Sequence, residues 1–261
     1  MKIVVCIKQV PDTKGGVKFK PDGTLDRAAM LTIMNPDDKA GLEAALQIKE
    51  QTGATVTAVC MGPPQADVAL REALAMGCDE AYLISGREFG GSDTCATAII
   101  ISAALKKIGY DLIITGRQAI DGDTAQVGPQ IAENLGIPQI SYAEDVQIDG
   151  DVLTVKRQYE DRYHIIEVKL PCLLTALQEL AEPRYMHAGG IVDAYEKDIP
   201  VITFDDIKDS INPAHIGLKG SPTNVVKSFT KQAKGAGAIL NVEPDEAVEE
   251  IMKCLAEKHI I

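Results

Sequence analysis

Two periodicities alternate along this chain, and their order predicts its architecture. Residues 1–10 form an apolar run interrupted by lysines and stopped by Pro11-Asp12, the pattern of a buried first strand. Residues 17–31 alternate around the turn Pro21-Asp22-Gly23, which predicts a surface hairpin. After Asn35-Pro36 the apolar positions Leu42, Ala45, Leu46 and Ile48 return at helical spacing, and Gly53 stops that helix. A strand over 54–61, a helix over 65–76 stopped by Gly77, a strand over 80–85, a helix over 92–108 and a strand over 110–115 follow.

Strands and helices that alternate in this way predict a parallel sheet covered by helices on both faces, because each apolar strand must be buried on two sides. Residues 124–135 supply a further helix, ended by Gly136 and Pro138. The texture then changes. Alternation over 141–176, with Asp149-Gly150 as the turn between strands at 145–148 and 152–158, predicts antiparallel strands finishing the same domain, and 182–190 reads as a turn toward the last strands. From 205 to 241 the chain is rich in Gly, Pro, Ser, Thr and Lys with few periodic apolar residues, and 244–258 then reads as a helix. The expected organisation is an α/β nucleotide-binding domain over 1–204 and an extended C-terminal arm over 205–261. So long a stretch without structure is improbable inside a compact domain, which points to an arm reaching over another polypeptide; the alternative is a tail ending in a self-docked helix.

Charge removes several classes of partner. With 38 acidic and 26 basic residues the formal net charge is −12, which disfavours nucleic acid and anionic lipid. Apolar runs such as 96–105 fall short of the ~20 residues that cross a bilayer, and no targeting segment is visible. The six cysteines have no C-x-x-C spacing, so small buried residues in a reducing cytoplasm are expected. His164, His187, His215 and His259 lack ligand spacing, which predicts no metal site. G-x-G-x-x-G after the first strand, G-x-x-x-x-G-K-[ST] and G-x-S-x-G are all missing, and no catalytic residue is assigned. Binding and electron transfer therefore rank above hydrolysis.

In a parallel sheet, ligands belong at the carboxyl edge, where helix N-termini present free N–H groups. Two segments there carry unusual chemistry: Ser92-Asp93-Thr94-Cys95-Ala96-Thr97, and the run from Gly116 to Gly128. Ser92 and Thr94 read either as helix caps or as phosphate donors. In the second segment Gly116, Gly122 and Gly128 are expected to let the backbone approach a ligand, with Arg117 adding charge and Gln126 hydrogen bonding. Asp121 and Asp123 suit a ribose or adenine edge, a salt bridge to Arg117, or capping.

The Gly116-Arg117-Gln118-Ala119-Ile120-Asp121 core resembles the nucleotide loop of the electron-transfer flavoprotein beta subunit. Met34-Asn35-Pro36, Ala73-Leu74-Ala75-Met76-Gly77, Lys169-Leu170-Pro171, Thr175-Ala176 and Glu182-Pro183-Arg184-Tyr185 agree with it, in order along nearly the whole chain. The resemblance implies an adenine nucleotide hydrolase-like α/β fold and a heterodimer with an alpha subunit that carries its own FAD. It implies nucleotide contacts from Cys6, Asn35, Pro36, Asp37, Asp38 and Met61, and from Gly116, Arg117, Gln118, Ala119, Ile120, Asp121, Gly122, Asp123, Thr124, Ala125, Gln126 and Val127.

Asp121-Gly122-Asp123-Thr124-Ala125-Gln126 and the hydroxyls of Ser92, Thr94 and Thr97 resemble the electron-bifurcating branch of the family. That branch implies FAD in this subunit, NADH as electron donor, and delivery to an acyl-CoA dehydrogenase and to ferredoxin or flavodoxin. NADH-oxidising activity would belong to the heterodimer. The alternatives are a non-bifurcating beta subunit with structural AMP, and a stand-alone ATP-binding α/β module. Arg162 and His164 depart from the usual signature, and Ala188 stands near a position where dehydrogenase-docking relatives carry leucine, leaving Ile191 or Val192 for docking.

Overall fold

The computed structural model describes residues 1–12, 31–223, 237, 239 and 241–261. The chain divides into two units, Met1–Thr223 and Asn224–Ile261. In the first unit the chain runs β1 (Lys2–Ile7), β2 (Gln9–Pro11), β3 (Thr32–Met34), α1 (Pro36–Thr52), β4 (Thr55–Met61), α2 (Asp67–Met76), β5 (Glu80–Ile84), α3 (Thr94–Ile108), β6 (Leu112–Gly116) and α4 (Val127–Leu135). It continues through β7 (Gln139–Asp149), β8 (Val152–Gln158), β9 (Tyr163–Lys169), β10 (Cys172–Ala176), α5 (Ala188–Glu196), β11 (Val201–Ile202), α6 (Phe204–Ile207) and α7 (Gly217–Gly220). In the second unit α8 (Pro244–Glu257) is the described helix.

Nine strands form one sheet in the order β11-β5-β4-β1-β6-β10-β7-β8-β9. All pairs from β11 to β7 are parallel, whereas β7–β8 and β8–β9 are antiparallel. The expected α/β class is therefore what the chain adopts. β1 shows why: Ile3 and Val5 pack with Leu42, Leu46 and Leu70 on one face, Val4 with Ile100, Leu105 and Ile131 on the other. A strand buried on both faces needs an unbroken apolar run, and that run is what the sequence carries.

Several boundaries differ from expectation. The first strand breaks at Lys8, and β2 leaves to pair antiparallel with β3. The hairpin expected over 17–31 lies outside the described residues, apart from Leu31. The last strand of the expected antiparallel set, β10, instead inserts between β6 and β7 and runs parallel to both. The helix expected from 124 starts at Val127. The turn expected over 182–190 runs into α5, capped by the His187 ring accepting from the Gly190 N–H at 3.0 Å. Residues 204–220 hold short helical turns, and Ile207, Ile211 and Ile216 are buried against the α3 face, so that part of the expected structureless stretch packs on the first unit.

Long-range polar ties fix the layers. Arg184 forks onto Glu43 of α1 at 2.8 and 2.9 Å and reaches Glu50 at 2.6 Å, clamping the segment after β10 to the first helix.

Gly128 in α4 has no room for a side chain: an added Cβ would lie 2.6 Å from Thr115 Oγ1 and 2.8 Å from Thr175 Cγ2. An alanine ordinarily favours a helix over glycine by about 1 kcal/mol. Here Gly128→Ala is expected to cost about 1–3 kcal/mol, read as a lower urea midpoint at an unchanged m value.

Candidate functional site

A cavity of about 420 Å³ opens at the carboxyl edge of the sheet, within the size range of small-molecule sites. Its floor is the ends of β1 and β6, through Cys6, Ile7, Thr115 and Gly116; its walls are the starts of α3 and α4 and the loop from Arg117 to Gln126. Met61, Phe89, Ile101 and Val127 give it apolar surface.

At the floor sits Asp38, buried. Its Oδ1 accepts from the Gly116 N–H at 2.9 Å and its Oδ2 from the Lys8 N–H at 2.8 Å. Burial pushes this carboxyl up to about 7, against the opposing pull of the Asn35 amide and the Lys8 and Gly116 N–H groups. Burial also pushes the Cys6 thiol up, helped by Asp38, so Cys6 is a neutral wall residue rather than a nucleophile.

Asn35 stands at the N-cap of α1 without capping it. Its amide nitrogen donates to the Gln118 carbonyl at 2.8 Å and its oxygen accepts from the Ile120 N–H at 3.1 Å, pinning the first half of the loop. Arg117 donates its backbone N–H to the Ala176 carbonyl at 2.8 Å, while its side chain lies 3.5 Å from buried Asp37. Burial raises the Asp37 carboxyl. Of the loop acids, Asp121 pairs with Lys8 at 2.7 Å and Asp123 accepts from Gln118 at 2.8 Å, so neither bridges Arg117. Asp123 and Ala125 hold φ of 48° and 53°, a left-handed backbone that costs a non-glycine residue about 1 kcal/mol or more.

The two helix tips differ. Asp93 caps α3 by accepting from the Ala96 N–H at 3.0 Å, and its other oxygen accepts from the Thr223 N–H at 2.9 Å. Ser92 is likewise structural: its hydroxyl donates to the Phe89 carbonyl and accepts from the Gly217 N–H. α4 begins with no side-chain cap, which leaves the Val127 and Gly128 N–H groups for an anion at the cavity wall. Thr94 bridges the tips, donating to Gln126 at 2.8 Å.

The cavity brings together Cys6, Asp38, Met61, Thr94, Thr97, Gly116, Arg117, Gln118, Ala119, Gly122, Thr124, Ala125, Gln126 and Val127. Asn35, Asp37, Ile120, Asp121 and Asp123 stand behind the wall, and Pro36 faces a neighbouring groove. Two of the three expected close-approach glycines serve the protein itself: a Cβ on Gly116 would strike Asp37 and Asp38, and one on Gly128 would strike Thr115 and Thr175, while Gly122 faces open space. Sequence reasoning missed Lys8, Phe89, Ile101 and Thr115. The signal for Lys8 was a lysine at the carboxyl end of a strand too apolar to bury one.

A mostly parallel sheet with a glycine-rich loop and an uncapped helix at its carboxyl edge defines an α/β protein with a nucleotide-sized cavity. Residues 22–207 match the electron transfer flavoprotein domain. Over the full length of both chains the sequence is 54% identical to the acryloyl-CoA reductase electron transfer subunit gamma of Anaerotignum propionicum. It is 53% identical, again over both full lengths, to the electron transfer flavoprotein subunit beta of Clostridium acetobutylicum. It is 51% identical over both full lengths to the caffeyl-CoA reductase-Etf complex subunit CarD of Acetobacterium woodii. The chain belongs to the electron transfer flavoprotein family, among its beta subunits.

Asp38 also predicts a pH dependence. Its folded value near 7 lies above the ordinary 3.8, so its contribution to stability is complete below about pH 4 and is lost as pH rises through 7. Asp38→Asn is expected to flatten that part of the stability profile measured by urea unfolding. It should also cost about 1–3 kcal/mol, because one amide nitrogen would face a backbone N–H.

Proposed function

We propose that this chain is the beta subunit of a heterodimeric electron-transfer flavoprotein that holds FAD in the carboxyl-edge cavity. In this reading it takes electrons from NADH and divides them between an acyl-CoA dehydrogenase and a ferredoxin or flavodoxin. The observation that carries the reading is the uncapped start of α4 facing Thr94 and Thr97 across the cavity. Two relatives are subunits named for an acryloyl-CoA reductase and a caffeyl-CoA reductase, which supports delivery of electrons to an enzyme that acts on acyl-CoA.

A bound flavin supplies the conversion between two-electron and one-electron chemistry. The protein supplies position and surroundings. The Val127 and Gly128 N–H groups suit one phosphate and the Thr97 hydroxyl the next, with the Thr94 hydroxyl joining it by turning from Gln126. Met61, Phe89 and Ile101 exclude water. Asp38, Asn35 and Arg117 hold the floor and loop in place, and no side chain is asked to carry a covalent step.

The alpha subunit is the expected partner of a beta subunit, and residues 224–261 are proposed as the arm that packs on it. In α8, Val248, Ile251 and Met252 are exposed at helical spacing, a stripe that suits burial against a partner. Ile191 and Val192, exposed on α5, are proposed for the dehydrogenase. All six cysteines are free, which suits a cytoplasmic setting.

A second reading, AMP in place of FAD, is favoured by one observation: Asp93 already fills the tip of α3, leaving α4 as the one open helix N-terminus at the cavity among the described residues. Flavin counted by absorbance per purified heterodimer separates the two. Two flavins are expected, and one flavin with one AMP would reject FAD in this subunit. Thr97→Val alone, and Thr94→Val with Thr97→Val, are expected to lower flavin retention through desalting, the double variant also losing about 1 kcal/mol of stability with the Thr94–Gln126 bond; full retention would remove both hydroxyls from the site.

A further inference from the structure

We propose that Lys8 and Asp121 form a latch that closes the 117–126 loop over the cavity and sets how long a bound nucleotide stays. The proposal rests on the nucleotide reading above and adds a residue pair that acts on release.

Lys8 follows β1 directly. Its backbone N–H is fixed on Asp38, so its side chain rises from an immobile point on the cavity floor. Its ammonium reaches both oxygens of Asp121, at 2.7 and 2.9 Å, across 113 positions of sequence. Lys8 lines the cavity, so the pair joins the cavity lining to the loop.

The other ties of the loop either lie outside this brace or close the turn around it: the Ala119 carbonyl accepts from the Gly122 and Asp123 N–H groups at 3.1 and 2.9 Å, and Gln118 donates to Asp123 at 2.8 Å. Arg117, Gln118 and Ile120 are held by backbone hydrogen bonds to Ala176 and Asn35. Beyond Asp121 the loop crosses Gly122 and the left-handed Asp123 and Ala125, and its tie to the opposite wall is the Gln126–Thr94 hydrogen bond. Asp121 therefore stands within a closed turn, and its bond to Lys8 is what joins that turn to the end of β1. The two side chains are 48% and 30% exposed, so water and salt reach the pair and it can open without disrupting the core.

Charge also separates the roles of the two basic residues in the lining. Arg117 lies 3.5 Å from Asp37, which is nearly fully buried, so its nearest anionic neighbour is inside the protein. Lys8, half-exposed and paired with an exposed carboxylate, is among the described residues a side-chain cation at the rim that can exchange partners.

The test uses the purified heterodimer with its natural nucleotide, and follows release of FAD by recovery of free-flavin fluorescence, or of AMP by displacement with a fluorescent AMP analogue. Lys8→Met and Asp121→Asn are each expected to speed release about two- to fivefold, the scale of one half-exposed ion pair, and the double variant to match either single one. Wild-type release should accelerate toward the variants at about 1 M salt, where the screening length is ~3 Å, while the variants change little. Lys8→Glu combined with Asp121→Lys should restore slow release, which a merely structural effect of either position would not do. Opposite signs, with Lys8→Met weakening and Asp121→Asn tightening retention, would overturn the latch in favour of a direct contact from Lys8 to phosphate. Wild-type rates in both single variants would overturn the latch alone, whereas a wild-type heterodimer holding neither FAD nor AMP overturns the nucleotide reading and the latch together.

Discussion

One buried carboxyl group joins the elements on which the rest of this structure depends. Asp38 enters from the first turn of α1 and accepts the N–H groups of Lys8 and Gly116 where adjacent parallel strands run out of ladder partners. Without it two backbone donors would lie unpaired at the cavity floor, a cost of about 1–3 kcal/mol each. The same side chain explains Gly116, because a Cβ there would occupy the space the carboxyl needs. Asn35, three positions earlier, extends the arrangement by holding the loop above. One turn of helix thus ties two strand ends and a loop into a single rigid floor.

Electrostatics around that floor run against the sign of the whole molecule. The chain carries a net charge of −12, yet its cavity presents Lys8, Arg117 and the positive end of α4. The acids nearby are each committed: Asp37 lies beside Arg117, Asp121 on Lys8, Asp123 on Gln118, and Asp93 on α3. Acidic surroundings of this kind keep other anions from adhering across the surface while leaving one local basin for them.

Much of the sheet was legible because its strands are apolar without interruption and its helices end on glycines. Gly53, Gly77 and Gly136 all carry positive φ where the helical pattern stops. What the sequence hid was long-range order. β10 reads as the last of an alternating set, but Cys172, Leu173, Leu174, Thr175 and Ala176 are all buried, as a strand between two neighbours must be. Short helices at 204–220 fall below the length at which periodicity becomes visible, and Ala188-Gly189-Gly190 disguises the start of α5. In the site, residue type was readable and partner was not. Gly116 and Gly128 do line the cavity, but what leaves no room for a Cβ there is the protein's own side chains from α1, β6 and β10, which the sequence does not show.

The anchorage of Thr223 has a mechanical meaning. Its N–H rests on Asp93, Ser221 receives the Asp93 N–H, and Gly217 donates to Ser92, so the last stretch of the first unit is stitched to the rim of α3. Traction on the residues that follow would be borne first by this seam. The carboxylate that seats the helix is thus also the anchor of this stretch, so one side chain serves both a cavity wall and the end of the unit.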